Sequence, residues 1–355
     1  MKSFLFLNHT LASQPARLGV VLARIDQGKG GEALHRSQAP QVLHRLELST
    51  RVASITASNA IENIMVDPDR AHRITRASGT VRFRGRNEQE FGGYRDAIDE
   101  ITQGNGKERV SIPLLLHVHR TLYKYSGGGG GRLKEDQNYI VEYVDGFRHV
   151  IFTPPTPDDT KWMLPELIDR YLAARDANEA HPLVLMAIFV LDLLSIHPAA
   201  DGNGRLARLM TTHLLLGCGY GVSRYVSIEQ RIFETKHEYY DAIRAAQHGW
   251  HDAQHNVWPF VTYLCGVLAD AYADFAAHVA AATPTTTSKQ EQVREFVLEH
   301  APNQFRFRDL EQWLPGISAP TIRLVLRELS ADGLIHVAGR GPGATWSRSP
   351  RPPLH

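Results

Sequence analysis

The chain has 355 residues, with 39 Lys and Arg against 38 Asp and Glu, a formal charge of +1, 43% hydrophobic and 8% aromatic residues. That length suits about two to three domains with real cores. The composition excludes a disordered chain, and the charge balance gives no global pull toward nucleic acid or a membrane surface.

Pro15 to about Ile64 reads as two or three helices, with Leu18, Val21, Leu22 and Ile25 at three-to-four spacing and a second run over Val42–Ile64. Residues 67–90 are charged and poor in apolar groups, which predicts an exposed connection. Tyr94–Ile101 and Ile112–Tyr123 are helical, the second starting at Ser111 with Pro113 in its first turn. Ser126–Gly131 holds five consecutive glycines and predicts a flexible loop. Tyr139–Tyr143 and His149–Phe152 are β-type runs about Asp145-Gly146, which predicts a hairpin. Helices follow over Asp158–Ala177, His181–Ile196, Gly204–Leu216, Glu234–Gln247 and Val257–Ala282, and Thr283–Ser288 reads as a linker. Beyond it come helices Lys289–His300, Arg308–Trp313 and Ser318–Ser330, then Gly333–Val337 and a Gly-rich return to Trp346, which is winged-helix order.

The apolar stretch Leu183–Ile196 is 14 residues long and carries Asp192, so it predicts a buried helix; a membrane span needs about 20 apolar residues. Met1–Leu7 is too short for a targeting segment. The two cysteines, Cys218 and Cys265, suit a reducing compartment. The expectation is a cytoplasmic protein with no membrane partner.

The segment His197-Pro198-Ala199-Ala200-Asp201-Gly202-Asn203-Gly204-Arg205-Leu206-Ala207-Arg208 gathers a base, an acid, an amide, two glycines and two arginines between apolar helices. Pro198 disfavours helix at His197. The glycines let successive N–H groups converge ahead of a new helix whose N-terminus favours an anion, which makes a phosphate cradle of Gly202–Arg205. Arg205 and Arg208 are three apart on one helix face, so both are expected to reach the same polyphosphate. Asp201 suits Mg²⁺ bridging phosphate oxygens. His197 suits a general base on an incoming hydroxyl, its ordinary pKa of about 6.5 lying near cellular pH. A capped corner between two helices accounts for any one of these residues alone, and poorly for all twelve together.

The string resembles the motif of the Fic (filamentation induced by cAMP) family, H-P-[F/I]-x-[D/E]-G-N-G-R-x-x-R, departing at Ala199 where the family has a bulky apolar residue. Ser58-Asn59-Ala60-Ile61-Glu62-Asn63 is similar to the family's inhibitory motif [S/T]-x-x-x-E-[G/N]. The resemblance implies a mainly α fold: a Fic-type helical domain with a β-hairpin flap, plus a C-terminal winged-helix domain. The implied boundaries are 1–110 for a helical region with the inhibitory helix, 111–282 for the catalytic domain, 283–288 for the linker and 289–355 for the winged helix. It further implies protein adenylyl transfer from ATP with Mg²⁺ on Asp201. Phosphates would lie on Gly202, Asn203, Gly204, Arg205, Leu206, Ala207 and Arg208, and Glu62 would compete for Arg208.

Gly131–Ile140 and Phe152-Thr153-Pro154-Pro155 resemble the family's flap segments, so Ile151, Phe152 and Thr153 are expected to align a target's backbone; a plain surface hairpin fits the same residues equally. Glu238–Ile243 resembles the helix lining the adenine pocket, with Tyr240 and Gln247 as candidates. The implied partner is a protein with a Tyr, Thr or Ser hydroxyl, with this chain itself and a homodimer left open. Phosphate transfer, removal of AMP with Glu62 orienting water, and a DNA-binding regulator with a nucleotide-sensing Fic domain are the alternatives. From Thr283 onward nine basic residues face seven acidic ones, a faint footprint for DNA, and winged helices also dock proteins.

Overall fold

A computed structural model describes residues 2–38, 40–77, 81–127, 129–282, 288–302, 304–339 and 341–348. Its helices up to the hairpin are α1 Lys2–Leu5, α2 Leu7–Ala12, α3 Ala16–Gln38, α4 Pro40–Ile61, α5 Pro68–Arg76, α6 Arg86–Gly104 and α7 Ile112–Leu122. Strands β1 Ile140–Val144 and β2 Phe147–Phe152 follow, then helices α8 Pro157–Asp176, α9 Pro182–Ile196, α10 Asn203–Gly217, α11 Ile228–Glu234, α12 Lys236–Gln247 and α13 Trp258–Ala282. The remainder is α14 Lys289–Glu295 continued by a π turn over Phe296–His300, β3 Gln304–Arg306, α15 Phe307–Trp313, α16 Ala319–Ala331, β4 Ile335–Ala338 and β5 Thr345–Arg348.

Two compact units form, one from residues 1–29 and 49–274, the other from 30–48 and 275–355. The first therefore takes in most of the segments 1–110 and 111–282 together. Its centre is α9, whose residues from Leu183 to Ile196 are all buried. Each fully buried Leu or Ile there contributes about 1.5–3 kcal/mol. Asp192 survives inside that helix because it accepts from Ser3 N at 3.2 Å, Ser3 Oγ at 2.6 Å and Trp250 Nε1 at 2.7 Å. Helices α8, α10 and α12 pack on α9, and α6 and α7 pack on α10. Ser111 caps α7 where the sequence placed its start, accepting from Leu114 N at 3.2 Å, and Thr156 caps α8 by accepting from Asp159 N at 3.1 Å ahead of Pro157.

The hairpin pairs β1 with β2 antiparallel, and Asp145 and Gly146 both take positive φ, 52° and 81°, the signature of a two-residue type I′ turn. These two strands make a sheet by themselves among the described residues. In the glycine run, Gly127, Gly129 and Gly131 have positive φ; Gly128 lies outside the described residues.

Three local expectations are corrected. Residues 67–90 are not a plain exposed connection: Asp67 caps α5 by accepting from Arg70 N at 3.1 Å, Ala71 and Ile74 are buried, and Arg70 Nε donates to Glu88 Oε1 at 2.9 Å. Charge there holds a helix through paired side chains, so scarcity of apolar residues misleads. The helix expected over Glu234–Gln247 is present but starts at Lys236, and a separate, unforeseen helix α11 ends at Glu234; between them Thr235, whose hydroxyl donates to Arg231 O at 2.8 Å, leaves the helical region at φ −108°, ψ 34°. The hydroxyl offers the chain an alternative to the helical ladder. Strand β3 was not foreseen, three residues being too short for an alternating signal.

The second unit buries Phe296, Phe305, Leu310, Ile322, Leu326 and Ile335 in its own core, beneath a sheet ordered β3-β5-β4 with antiparallel pairs. Ser288 caps α14 by accepting from Glu291 N at 3.2 Å, and the rest of the 283–288 linker lies outside the described residues. By length and hydropathy Trp258–Ala281 is apolar enough to cross a membrane, with 50% of its most apolar window buried.

Candidate active site

Helix α9 ends because His197 turns into the left-handed region, φ 51° and ψ 60°, while its N–H donates to Leu193 O at 3.1 Å. Its ring Nδ1 lies 3.2 Å from Leu194 O. A carbonyl can only accept, so Nδ1 carries the hydrogen and Nε2 is left as the ring's acceptor. Burial pushes the imidazole down to about 4, with the Lys134 ammonium acting in the same direction; the Leu194 carbonyl, Glu62 and Asp201 oppose it. A neutral ring with Nε2 as acceptor is the form a general base needs.

The loop beyond is fixed by its own amide. Asn203 Oδ1 accepts from Ala199 N at 2.9 Å and Asn203 Nδ2 donates to Ala199 O at 2.8 Å, which leaves only the Asn203 backbone for a phosphate. Ala199 is buried, 3% exposed, so the small residue is accommodated in the core. Gly202 caps α10 at φ 77°, and a Cβ there would lie 2.7 Å from Tyr123 Oη, so both conformation and space require glycine. The first N–H groups of α10, those of Asn203, Gly204 and Arg205, precede the helical ladder and point from its N-terminus. Leu206 N is already spent on Gly202 O at 2.9 Å, and the Leu206 and Ala207 side chains are buried. Those two expected phosphate residues back the cradle and do not line it.

A carboxylate sits on this cradle. A Cβ on Gly204 would collide with Glu62 Oε1, and that oxygen accepts from Arg208 Nη2 at 2.8 Å. Arg208, 3% exposed, also donates from Nε to Ser58 Oγ at 2.8 Å and from Nη2 to Ser58 O at 3.0 Å. Burial works against its charge, but Glu62 and the Tyr239 and Tyr94 hydroxyls outweigh it and hold the guanidinium protonated. Asn63 explains the last position of its motif: at φ 60° it ends the helix, with its N–H on Ala60 O at 3.0 Å and Ile64 N on Asn59 O at 2.9 Å. Only Gly or Asn enters that region cheaply. Lys236 Nζ, which the sequence did not single out, donates to Ile61 O at 2.7 Å and holds the same turn.

Arg205 departs from its expected place beside Arg208: its Nη2 pairs with Glu90 Oε2 at 2.7 Å and donates to Tyr123 Oη at 2.9 Å, its Nε and Nη1 have no hydrogen-bond partner among the described residues, and it is 2% exposed. Common helix face fixes where two side chains start, and burial partners decide where they end. Removing one member of such a pair strands the other's charge. Arg205→Ala and Glu90→Gln are therefore each expected to lose about 3–5 kcal/mol of stability in denaturant unfolding, the second because it strands the buried guanidinium; equal stability of either variant and the parent would contradict the pairing.

Asp201 is exposed. Oδ1 accepts from Gly202 N at 2.7 Å, Oδ2 lies 3.8 Å from Arg86 Nη2, and the backbone oxygen accepts from His119 Nε2 at 3.0 Å. Among the described residues no group of three or more His, Cys, Asp or Glu could hold a metal. One open carboxylate fits Mg²⁺, which keeps several waters and shares substrate phosphates, and fits no metal caged by protein alone.

Tyr240 and Gln247 lie about two turns apart on α12. Tyr240 is partly exposed, and the Glu62 charge adds to burial in raising its phenol. Gln247 is buried, donates to Ser195 Oγ at 3.1 Å, and lines a cleft of about 370 Å³ with Val150, Ile151, Phe152, Thr153 and His251. The expected flap residues and Gln247 thus share one cleft. His251 was missed: it stacks on Phe152 at 5.3 Å with planes 15° apart and donates from Nε2 to Thr153 O at 2.9 Å. No motif marks it, because its partner is a backbone oxygen 98 residues away.

Residues 109–215 match the model of the Fic/DOC family. The chain is similar to protein adenylyltransferase Fic of Nematostella vectensis, 27% identical over 158 residues that cover 44% of this chain and 32% of that protein. The likeness to protein adenylyltransferase Fic of Aedes aegypti is 28% over 161 residues, 45% of this chain and 28% of that one. The matched part thus spans about a third of the length of these curated relatives or less. Among solved structures, a Fic family protein from Desulfovibrio desulfuricans superposes with TM-score 0.62 at 23% identity, covering 96% of this chain and 98% of the other. A Fic domain containing signaling protein from Bacteroides thetaiotaomicron gives 0.59 at 19% identity, over 74% of this chain and 99% of that one. Both likenesses show the fold.

Proposed function

We propose, from the match of residues 109–215 to the Fic/DOC family, an enzyme that transfers AMP from ATP to a Tyr, Thr or Ser hydroxyl of a protein. The observation that carries this reading is the Glu62 carboxylate seated over Gly204 and paired with Arg208, an anion held where a cradle of helix N–H groups takes a phosphate. In the productive state the N–H groups of Asn203, Gly204 and Arg205 and the Arg208 guanidinium hold the phosphates. His197 Nε2 takes the proton of the target hydroxyl, whose oxygen bonds to the α-phosphorus. The bond from that phosphorus to the bridging oxygen breaks, and pyrophosphate leaves. Asp201 would hold Mg²⁺, which when bound supplies neutralisation of phosphate charge. The work is alignment and electrostatics, as phosphorus transfer requires.

The target's extended backbone docks on the exposed β1–β2 hairpin, whose free edges offer N–H and C=O groups without reading much sequence. Glu62 inhibits, because Arg208 cannot serve its carboxylate and the γ-phosphate together. We read the second unit as a winged helix in a cytoplasmic protein. On α16, Arg323 and Arg327 are exposed while Ile322, Val325, Leu326 and Leu329 are buried, which favours a docking face for DNA or protein.

Intact-mass and peptide mass spectrometry of the Glu62→Gly protein after incubation with Mg-ATP and cell lysate tests the reaction. A 5′-AMP adduct on a hydroxyl side chain is expected; a phosphate adduct, or none together with salt-sensitive binding to specific DNA, overturns it in favour of phosphotransfer or a regulator.

A further inference from the structure

The segment leading into the hairpin does something the mechanism above leaves unused. Lys134 N donates to Pro198 O at 2.8 Å and Lys134 Nζ to Ile196 O at 3.1 Å. Asn138 Nδ2 donates to His197 O at 3.2 Å and to Ala199 O at 3.0 Å. Four consecutive carbonyls, from Ile196 to Ala199, are thus taken by two residues of one short segment. Gln137 Nε2 donates to Pro154 O at 2.9 Å and so ties that segment to the far end of the hairpin.

The choice of lysine is costly. Lys134 is 2% exposed, and both acceptors of its ammonium, Ile196 O and Asn138 Oδ1 at 2.9 Å, are neutral. Burial draws the amine down to about 8, so it remains largely cationic at neutral pH. What favours the charge there is the carbonyl end of α9, a helix of 15 residues whose dipole places partial negative charge at that point. His197 follows immediately, in a left-handed conformation that costs a non-glycine residue about 1–2 kcal/mol and persists only where surroundings enforce it. A neutral amide bracing the carbonyls could enforce the turn. A buried cation also acts on the imidazole, against Glu62 and Asp201, the two acids that face the ring.

We propose that Lys134, supported by Asn138, is a positioning residue for His197, clamping the left-handed turn that presents Nε2 and placing a fixed positive charge behind the ring. This rests on His197 acting as the base in the proposed transfer. It predicts two separable effects: loss of turnover from a displaced base, since a misplacement of about 1 Å can cost 100-fold, and a ring that protonates more readily once the cation is gone.

The test uses the full chain with Lys134→Met, Lys134→Arg and Asn138→Ala. NMR titration of the His197 ring, assigned by difference against His197→Asn, runs beside transfer from labelled Mg-ATP. Lys134→Met is expected to lower kcat about 10- to 100-fold with KM for ATP within about threefold, and to move the His197 midpoint to higher pH. Lys134→Arg is expected to restore most of both, and Asn138→Ala to lower kcat with the midpoint in place. An unmoved midpoint in Lys134→Met overturns the proposal, as does undiminished kcat in Asn138→Ala, which decides the matter should Lys134→Met fail to fold. A chain that transfers nothing even as Glu62→Gly, with the midpoint moved as expected, overturns the adenylyl-transfer reading and leaves the hold of Lys134 on His197 standing.

Discussion

Replacing His197 is expected to reduce AMP transfer by about 100- to 10,000-fold while nucleotide affinity stays within about threefold, because a general base acts on the hydroxyl and makes no phosphate contact. The choice of variant matters. His197 sits at φ 51°, where Ala is strained and Asn is tolerated, so His197→Asn removes the base with the turn retained and His197→Ala removes both. Equal loss in the two variants assigns the effect to the imidazole; retention of transfer by His197→Asn would remove His197 from the chemistry. The pH dependence carries the same assignment. The base works only when neutral, so activity is present above its folded pKa and lost as pH falls through it. With the ring pushed down to about 4, kcat/KM of the free enzyme is expected to hold through pH 6 and fall only toward 4, where an ordinary histidine would already fail near 6.5.

The contrast between His197 and Arg205 shows what the sequence could carry. His197, Gly202, Gly204 and Asn63 were legible because their positions impose backbone conformations or close approaches that few residue types satisfy. Those constraints are local, and each leaves its mark in a short string. Arg205 was misplaced because its direction is set by Glu90, which lies on another helix 115 residues earlier, and no local pattern couples the two. Lys134, Lys236 and His251 were passed over for a related reason: each donates to a backbone oxygen, a partner every residue possesses. The α5 helix hid in a charged stretch because an Arg70–Glu88 pair does there what apolar side chains do elsewhere. Chain-local geometry was readable from the residues themselves, whereas the tertiary polar pair that was foreseen, Glu62 with Arg208, came from the family resemblance and not from any local pattern.

The opposite sign is expected from Glu62→Gly, which should raise transfer. The Glu62 carboxylate accepts one charge-assisted bond from Arg208 and stands over the Gly204 cradle, so removing it frees both the guanidinium's outer edge and the helix N-terminus. A bond of that class is worth about 1.5–3 kcal/mol, and 1.4 kcal/mol is a tenfold change, which puts the gain at about 10- to 100-fold. Arg208 should not collapse when its partner goes, because Ser58 keeps two of its bonds, through Oγ and the backbone oxygen. Glu62→Gln separates the two contributions: it retains an acceptor of the same length and loses the charge, so an intermediate rate is expected if competition for the guanidinium dominates. Were Glu62→Gln as slow as the parent and Glu62→Gly fast, bulk over Gly204 would be the inhibitory element. Ser58→Ala then supplies the control, since it loosens Arg208 without opening the cradle and should slow Glu62→Gly. Rates of label incorporation from Mg-ATP read all of these, and a Glu62→Gly rate no higher than the parent's removes Glu62 from the control of this site.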